Sequence, residues 1–146
     1  IKGTEEKIEA DFVCISGGLY PLVELAALAG CPFRYIEELG GYIPLHNEKM
    51  ETPVEGLYVA GNITGIEGAK VAAAQGRLAG LTIANNFGKD IDEHDINSAI
   101  RTVKETRENA YIQFHPEIEK GREKVQEEYE RYISSCSKQN ETSLTL

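Results

Sequence analysis

Three histidines, three cysteines and one Gly-Asn step are the parts of this sequence best suited to chemistry. An imidazole can move a proton or hold a metal, and a thiolate can attack or exchange. His46, His94 and His115 lie far apart, each in a polar or helix-boundary context, so they suggest neither a metal site nor an acid–base pair. Cys14, Cys31 and Cys136 are odd in number and lack metal-ligand spacing, which points to reduced thiols in a cytoplasmic protein. Cys14 sits in an apolar run and is expected in the core. Ser16 lacks the surroundings of a nucleophile elbow. Tyr20, Arg34 and Tyr35 suit a structural role or the lining of a cofactor or subunit surface, and Glu37-Glu38 suits a solvated turn. What remains is Gly56-Leu57-Tyr58-Val59-Ala60-Gly61-Asn62, followed by a glycine-dotted helix from Gly65 to Ala84. A short apolar strand ending just before a helix would bring a ligand to free backbone N–H groups and the positive end of the helix dipole.

The elements that must position this step can be read from spacing. Gly3 to Asp11 reads as a hairpin running into a strand. Asp11 to Ser16 is a continuous apolar run, the pattern of a strand covered on both faces in a parallel sheet. Gly17-Gly18 ends it. Pro21 opens a helix whose apolar stripe is Val23, Leu25, Ala26, Leu28 and Ala29, with Gly30 as its stop. Phe33 to Ile36 and Gly41 to Leu45 read as short strands, and Leu57 to Ala60 as another buried strand. The helix that follows is rich in Gly68, Ala69, Ala72, Ala73, Ala74, Gly76, Ala79, Gly80 and Ala84. Glycine costs a helix about 1 kcal/mol relative to alanine, and close approach to a sheet or a ligand compensates. Charged helices are expected over Asp90 to Arg107 and Glu117 to Tyr132, with Pro116 near the start of the second. Their apolar stripes are Ile96, Ala99, Ile100 and Val103, then Ile118, Val125, Tyr129, Tyr132 and Ile133. Ser134 to Leu146 is polar and expected to fray.

The chain has 146 residues and a net charge of −9, enough for one compact domain and unlike a nucleic-acid footprint or a basic membrane patch. No apolar run approaches the roughly 20 residues of a membrane span. The opening at Ile1, within what reads as a sheet, leads us to expect a piece of a longer protein; a processed start is the alternative.

Two blocks carry a family likeness. One is Ser16-Gly17-Gly18-Leu19-Tyr20-Pro21 with Ala29-Gly30, Arg34-Tyr35 and Glu38-Leu39-Gly40-Gly41-Tyr42-Ile43-Pro44. The other is Gly56 to Asn62 with Gly65, Gly68-Ala69 and Gly76-Arg77-Leu78-Ala79-Gly80. Together, over about residues 5 to 86, they resemble the C-terminal half of the two-dinucleotide-domain flavoproteins, which are pyridine-nucleotide-disulfide-oxidoreductase-like. The likeness is to sarcosine oxidase alpha subunits, to the B-subunit of hydrogen cyanide synthase, and to subunits of dye-linked proline dehydrogenase and opine oxidase. The resemblance implies an α/β fold: a partial doubly wound, Rossmann-like FAD/NAD(P)-binding domain followed by an α-helical C-terminal extension. Residues 1–88 would form the C-terminal half of the FAD domain, with 1–18 closing a preceding nucleotide-binding domain. Residues 89–135 would be the extension and 136–146 a flexible tail.

The resemblance also implies a site. Gly61 and Asn62 would lie at the flavin ribityl chain and diphosphate, and Gly68, Ala69 and Lys70 would open the helix facing the pyrimidine edge. The implied cofactor is FAD, with NAD(P) in the parent protein. The implied partners are other oxidoreductase subunits or a second copy, with no nucleic acid and no membrane span. The implied activity is amine or amino-acid oxidation through flavin. Two departures stand out. The G-x-G-x-x-G loop is absent, and Asn62 stands where the family has Asp, so the amide accepts through one oxygen where a carboxylate would offer two. A non-catalytic interaction module built on the same half-domain is the alternative. A disulfide-reductase relative is a third reading; it needs a redox cysteine pair in an upstream region, since residues 1–146 supply none.

Overall fold

The computed structural model describes residues 3–109 and 117–143. His115, Pro116 and the last three residues of the expected tail lie outside them. The element order is α1 (Glu24–Leu28), β1 (Phe33–Ile36), β2 (Gly41–Pro44), α2 (Ala69–Asn86), α3 (Glu93–Glu108) and α4 (Ile118–Ser143), with 3₁₀ turns at Glu37–Leu39 and Gly61–Thr64.

The sheet is a two-stranded antiparallel hairpin, with Phe33 opposite Pro44 and Ile36 opposite Gly41. Gly40, at φ +87°, closes the turn between the strands, a conformation glycine adopts without strain. Tyr35 and Tyr42 face each other across the hairpin with ring centroids 5.4 Å apart, edge to face. The hairpin's other side buries Ile36 and Ile43 against Leu39 and Val125, which is how α4 docks. A second core joins α2 to α3 through Leu78, Ala79, Ile96, Ala99 and Val103, with Met50 beneath them. The i, i+3, i+7 spacing of Ile96, Ala99 and Val103 supplies the α3 stripe that its sequence implies. Asp92 caps that helix by accepting from the His94 N–H at 2.9 Å.

Four expectations are corrected. Asp11 to Ser16 forms no strand, and Phe12 is 94% exposed. No described backbone lies in register beside this segment, and a strand needs a neighbour to satisfy its N–H and C=O groups. Cys14 is consequently exposed, not in a core. Leu57 to Ala60 forms a single bridge between Tyr58 and Glu51 in place of a parallel strand. The turn at Val54 brings a local partner first: Thr52 N–H donates to Leu57 O and Val59 N–H to Met50 O, both at 3.0 Å. The parallel sheet of a doubly wound domain is therefore absent among the described residues. What is present, a small sheet followed by helices, is compatible with part of a Rossmann-like domain.

Third, α1 is short and turns outward, so of its expected stripe only Ala26 is buried while Leu25 and Leu28 are exposed. Gly30 still follows its end at φ +78°, as expected of a stop. Fourth, α4 continues past Tyr132 to Ser143, where fraying was expected, and Ile133 of its stripe is exposed. Among the described residues no helix is long and apolar enough to cross a membrane.

Candidate functional site

The loop from Gly61 to Gly68 is held against α2 by its own polar groups. Gly61, at φ +79°, donates its N–H to Gln75 Oε1 at 2.8 Å. Gln75 is buried, and its Nε2 donates to Thr64 Oγ1 at 3.0 Å. Thr64 Oγ1 in turn donates to Gly61 O at 2.9 Å. The loop is thereby a closed hydrogen-bonded unit on the second turn of α2. A side chain at Gly61 would meet Ala72 Cβ at 3.6 Å, so the loop and the helix are in van der Waals contact.

This arrangement brings Gly61 and Asn62 alongside the start of α2. Asn62 is exposed, and its side-chain amide bonds to no described residue. Gly68 is the N-cap of α2 and carries no side-chain cap, so the N–H groups of Ala69 and Lys70 keep no acceptor among the described residues. Ala69 and Lys70 are exposed. The glycines farther along, Gly76 and Gly80, face open space and not a packed sheet. Among the described residues no sheet approaches α2 at these two glycines, and the buried side of α2 is Val71, Gln75, Leu78, Ala79 and Thr82.

The set suits an acceptor edge and hydroxyls such as those of a flavin: N–H groups without an acceptor among the described residues at the positive end of an 18-residue helix, with a carboxamide that bonds to no described residue on the adjoining loop. The Gly61 N–H, by contrast, is already spent on Gln75.

Beneath the loop lies a network that the sequence did not disclose. Glu67 receives the Nε of Arg107 from α3 at 2.8 Å and an Nη of Arg122 from α4. The other Nη of Arg122 donates to Thr64 O. The Glu67 and Arg122 side chains are 8% and 9% exposed, which makes this a buried pair and not a surface one. Burial lowers the Arg122 guanidinium to about 10, and Glu67 works against that shift, so Arg122 stays charged at neutral pH. The residues of this network are separated by 40 and 55 positions in sequence, beyond the reach of any local pattern.

The remaining candidates fall elsewhere. His46 is fully buried and its Nδ1 lies 2.7 Å from Pro44 O, so the neutral ring donates there. Desolvation, with Arg122 and Arg107 nearby, lowers it to about 4. His94 is exposed at the start of α3. Cys31 is buried, and burial raises its thiol. Arg34 pairs with Glu128 at 2.6 Å and so fastens β1 to α4. Tyr20 and Tyr35 are exposed. Glu37 is not the solvated partner of an equal pair, because Glu38 is buried and takes a bond from Lys124 that holds its carboxyl below the usual range. No group of three or more metal-ligating side chains exists among the described residues.

Comparison with known proteins falls on this same region. Residues 42–90, which include Gly61, Asn62, Gly68, Ala69 and Lys70, match the family model described as glucose inhibited division protein A. With the relatives below, this match supports the broader part of the flavoprotein likeness, that of an FAD-dependent oxidoreductase. The chain is 33% identical over 93 residues to the opine oxidase A-subunit of Rhizobium meliloti (strain 1021), covering 64% of this chain and 20% of that protein. It is 36% identical over 77 residues to the opine oxidase A-subunit of Agrobacterium tumefaciens (strain Ach5), covering 53% of this chain and 15% of that protein. The chain thus spans a fifth or less of the length of the curated relatives it matches. No solved structure matches it significantly.

Proposed function

We propose that this chain supplies the C-terminal half of an FAD site in a larger oxidoreductase subunit. The larger protein is of the opine oxidase and sarcosine oxidase alpha type and acts in amine or amino-acid oxidation. The observation that carries the proposal is the uncapped, exposed N-terminus of α2 beside the partnerless amide of Asn62, within the segment that matches the family model. FAD held there would supply electron-transfer chemistry between the sites of the complex or to an acceptor. Asn62 would bond the ribityl hydroxyls, and the Ala69 and Lys70 N–H groups would stabilise the negative charge that reduction places on the pyrimidine edge. The pyrophosphate-binding G-x-G-x-x-G loop would come from elsewhere in the parent protein, which would also supply any NAD(P) site. Substrate chemistry would lie with a companion protein of the same complex, in keeping with the absence of an acid–base pair at the loop. The companion would dock on the apolar residues between Phe12 and Leu28, and the assembly would be cytoplasmic.

The test is flavin binding by the purified protein. A yellow protein, or one that takes up added FAD with a matching absorbance spectrum, supports the reading. Asn62→Asp should then tighten FAD by about fivefold, roughly 1 kcal/mol, because a charged acceptor strengthens bonds to hydroxyls. An intact protein that refuses FAD, with or without Asn62→Asp, overturns it. The closed bond from Gly61 to Gln75 favours one second reading, an interaction module that keeps the half-domain as a scaffold. A colourless, FAD-refusing protein that still binds its companion would establish it.

A further inference from the structure

We propose that α3 and α4 form a clamp on the Gly61–Gly68 loop, with Arg107 and Arg122 as positioning residues that act through Glu67 and the Thr64 carbonyl. This inference rests on the loop being the cofactor loop, but its geometry stands by itself. Two helices from beyond the residues of the family-model match converge on one carboxylate at the base of the loop. Arg122 additionally holds Thr64 O, so one guanidinium fixes the loop at two points on either side of Gly65. Gly65 is the position that makes this possible. Its φ is +122°, and a Cβ there would stand 3.1 Å from both Arg122 Nη2 and Leu39. The loop backbone therefore lies directly on the guanidinium.

Stability alone does not account for the arrangement. Burying ions is expensive, and a buried pair is often no better than an apolar one of equal size. Here the Arg122 Nε is buried with no partner among the described residues, a cost an apolar residue would not carry. What the two arginines provide is direction. They leave Thr64, Gly65 and Glu67 one permitted placement, and with it the approach of the chain to Gly68 and the first N–H groups of α2. Flavin affinity is thereby set from residues that do not touch flavin.

The clamp also gives α4 a lever. The same helix is fastened to β1 by Arg34 and Glu128, which do not contact the loop. That pair provides the control. In the intact protein, Arg122→Ala should free the loop, so that amide hydrogen exchange at residues 64–66, which are buried and whose Gly65 N–H donates to Asn62 O, speeds up while the C-terminal turns of α2 keep their protection. FAD should weaken by about tenfold or more, since small misplacements of a site are costly. Arg34→Ala should loosen α4 without either effect. Glu67→Gln, which keeps the shape but removes the charge, should reproduce the Arg122→Ala exchange pattern in weaker form.

Unchanged exchange at residues 64–66 in Arg122→Ala overturns the clamp. So does an equal loss of FAD affinity in Arg34→Ala at matched thermal stability, which would make the role of Arg122 merely structural. If the unaltered protein binds no FAD, the cofactor reading fails instead, and the exchange comparison decides the clamp by itself.

Discussion

His46 shows how far a residue's role can lie from what its type suggests. In sequence it was one of three scattered imidazoles with nothing to catalyse. In the fold it is a neutral, fully buried ring whose Nδ1–H donates to Pro44 O, close to Arg107 and Arg122. Its pKa falls from 6.5 to about 4 because burial and the two arginines disfavour the imidazolium. The unfolded chain then binds a proton that the folded chain refuses, so stability is intact above pH 6.5 and declines as the pH falls towards 4. The loss expected from this residue alone is about 3 kcal/mol across that window. Denaturant unfolding at a series of pH values should show it. His46→Gln should flatten the wild-type slope between pH 6.5 and 4, leaving the contribution of the carboxylates; an unchanged slope would mean that the ring is solvated.

At the scale of elements, glycine in helices separates packed faces from free ones. Gly121 lies in the first turns of α4, where a Cβ would come within 2.8 Å of Leu39 Cγ and 3.0 Å of Glu38 Cβ. Alanine is the better helix former by about 1 kcal/mol, but overpacking of about 1–3 kcal/mol opposes it. Gly121→Ala should therefore destabilise on balance, by about 1 kcal/mol. Gly76→Ala and Gly80→Ala in α2 meet open space and should stabilise by about 0.5–1 kcal/mol each. Opposite signs in thermal melts of the three variants check the assignment of faces.

The same contrast explains what was legible in the sequence. Strands β1 and β2, the stop at Gly30 and the stripe of α3 rest on neighbours a few residues apart, and each forms as its spacing implies; that the two strands pair goes beyond that expectation. The strands expected at 11–16 and 57–60 depend on a partner strand that spacing does not name. The first finds none among the described residues, and the second takes a nearer partner at Glu51. For the site, the Gly-Asn step and the start of α2 were visible as a local motif. The Glu67 network was not, because Arg107 and Arg122 reach it only once three elements have packed.

At the scale of the whole molecule, the balance between apolar surface and charge decides how the chain behaves alone. Phe12, Val13, Ile15, Leu25 and Leu28 are each more than 80% exposed, and they belong to one stretch of chain. Such a concentration is the mark of a surface that another surface normally covers. Against association stands the net charge of −9, which makes two copies repel. Salt screens that repulsion, and kosmotropic salts also strengthen apolar burial, so both changes favour association. The isolated 146-residue chain should therefore self-associate, more so at high ionic strength and most in sulfate. Association through ion pairs would show the opposite dependence, weakening as salt rises. Light scattering coupled to size exclusion should give a mass above the 16.1 kDa of one chain, increasing with salt. Phe12→Glu combined with Leu25→Glu should restore the single-chain mass at every salt concentration, because it both breaks the patch and adds to the repulsion. A wild-type chain that stays at 16.1 kDa in high sulfate and binds no apolar dye would show that these residues are covered from within. The stretch from Phe12 to Leu28 would then no longer be the docking surface for a companion protein.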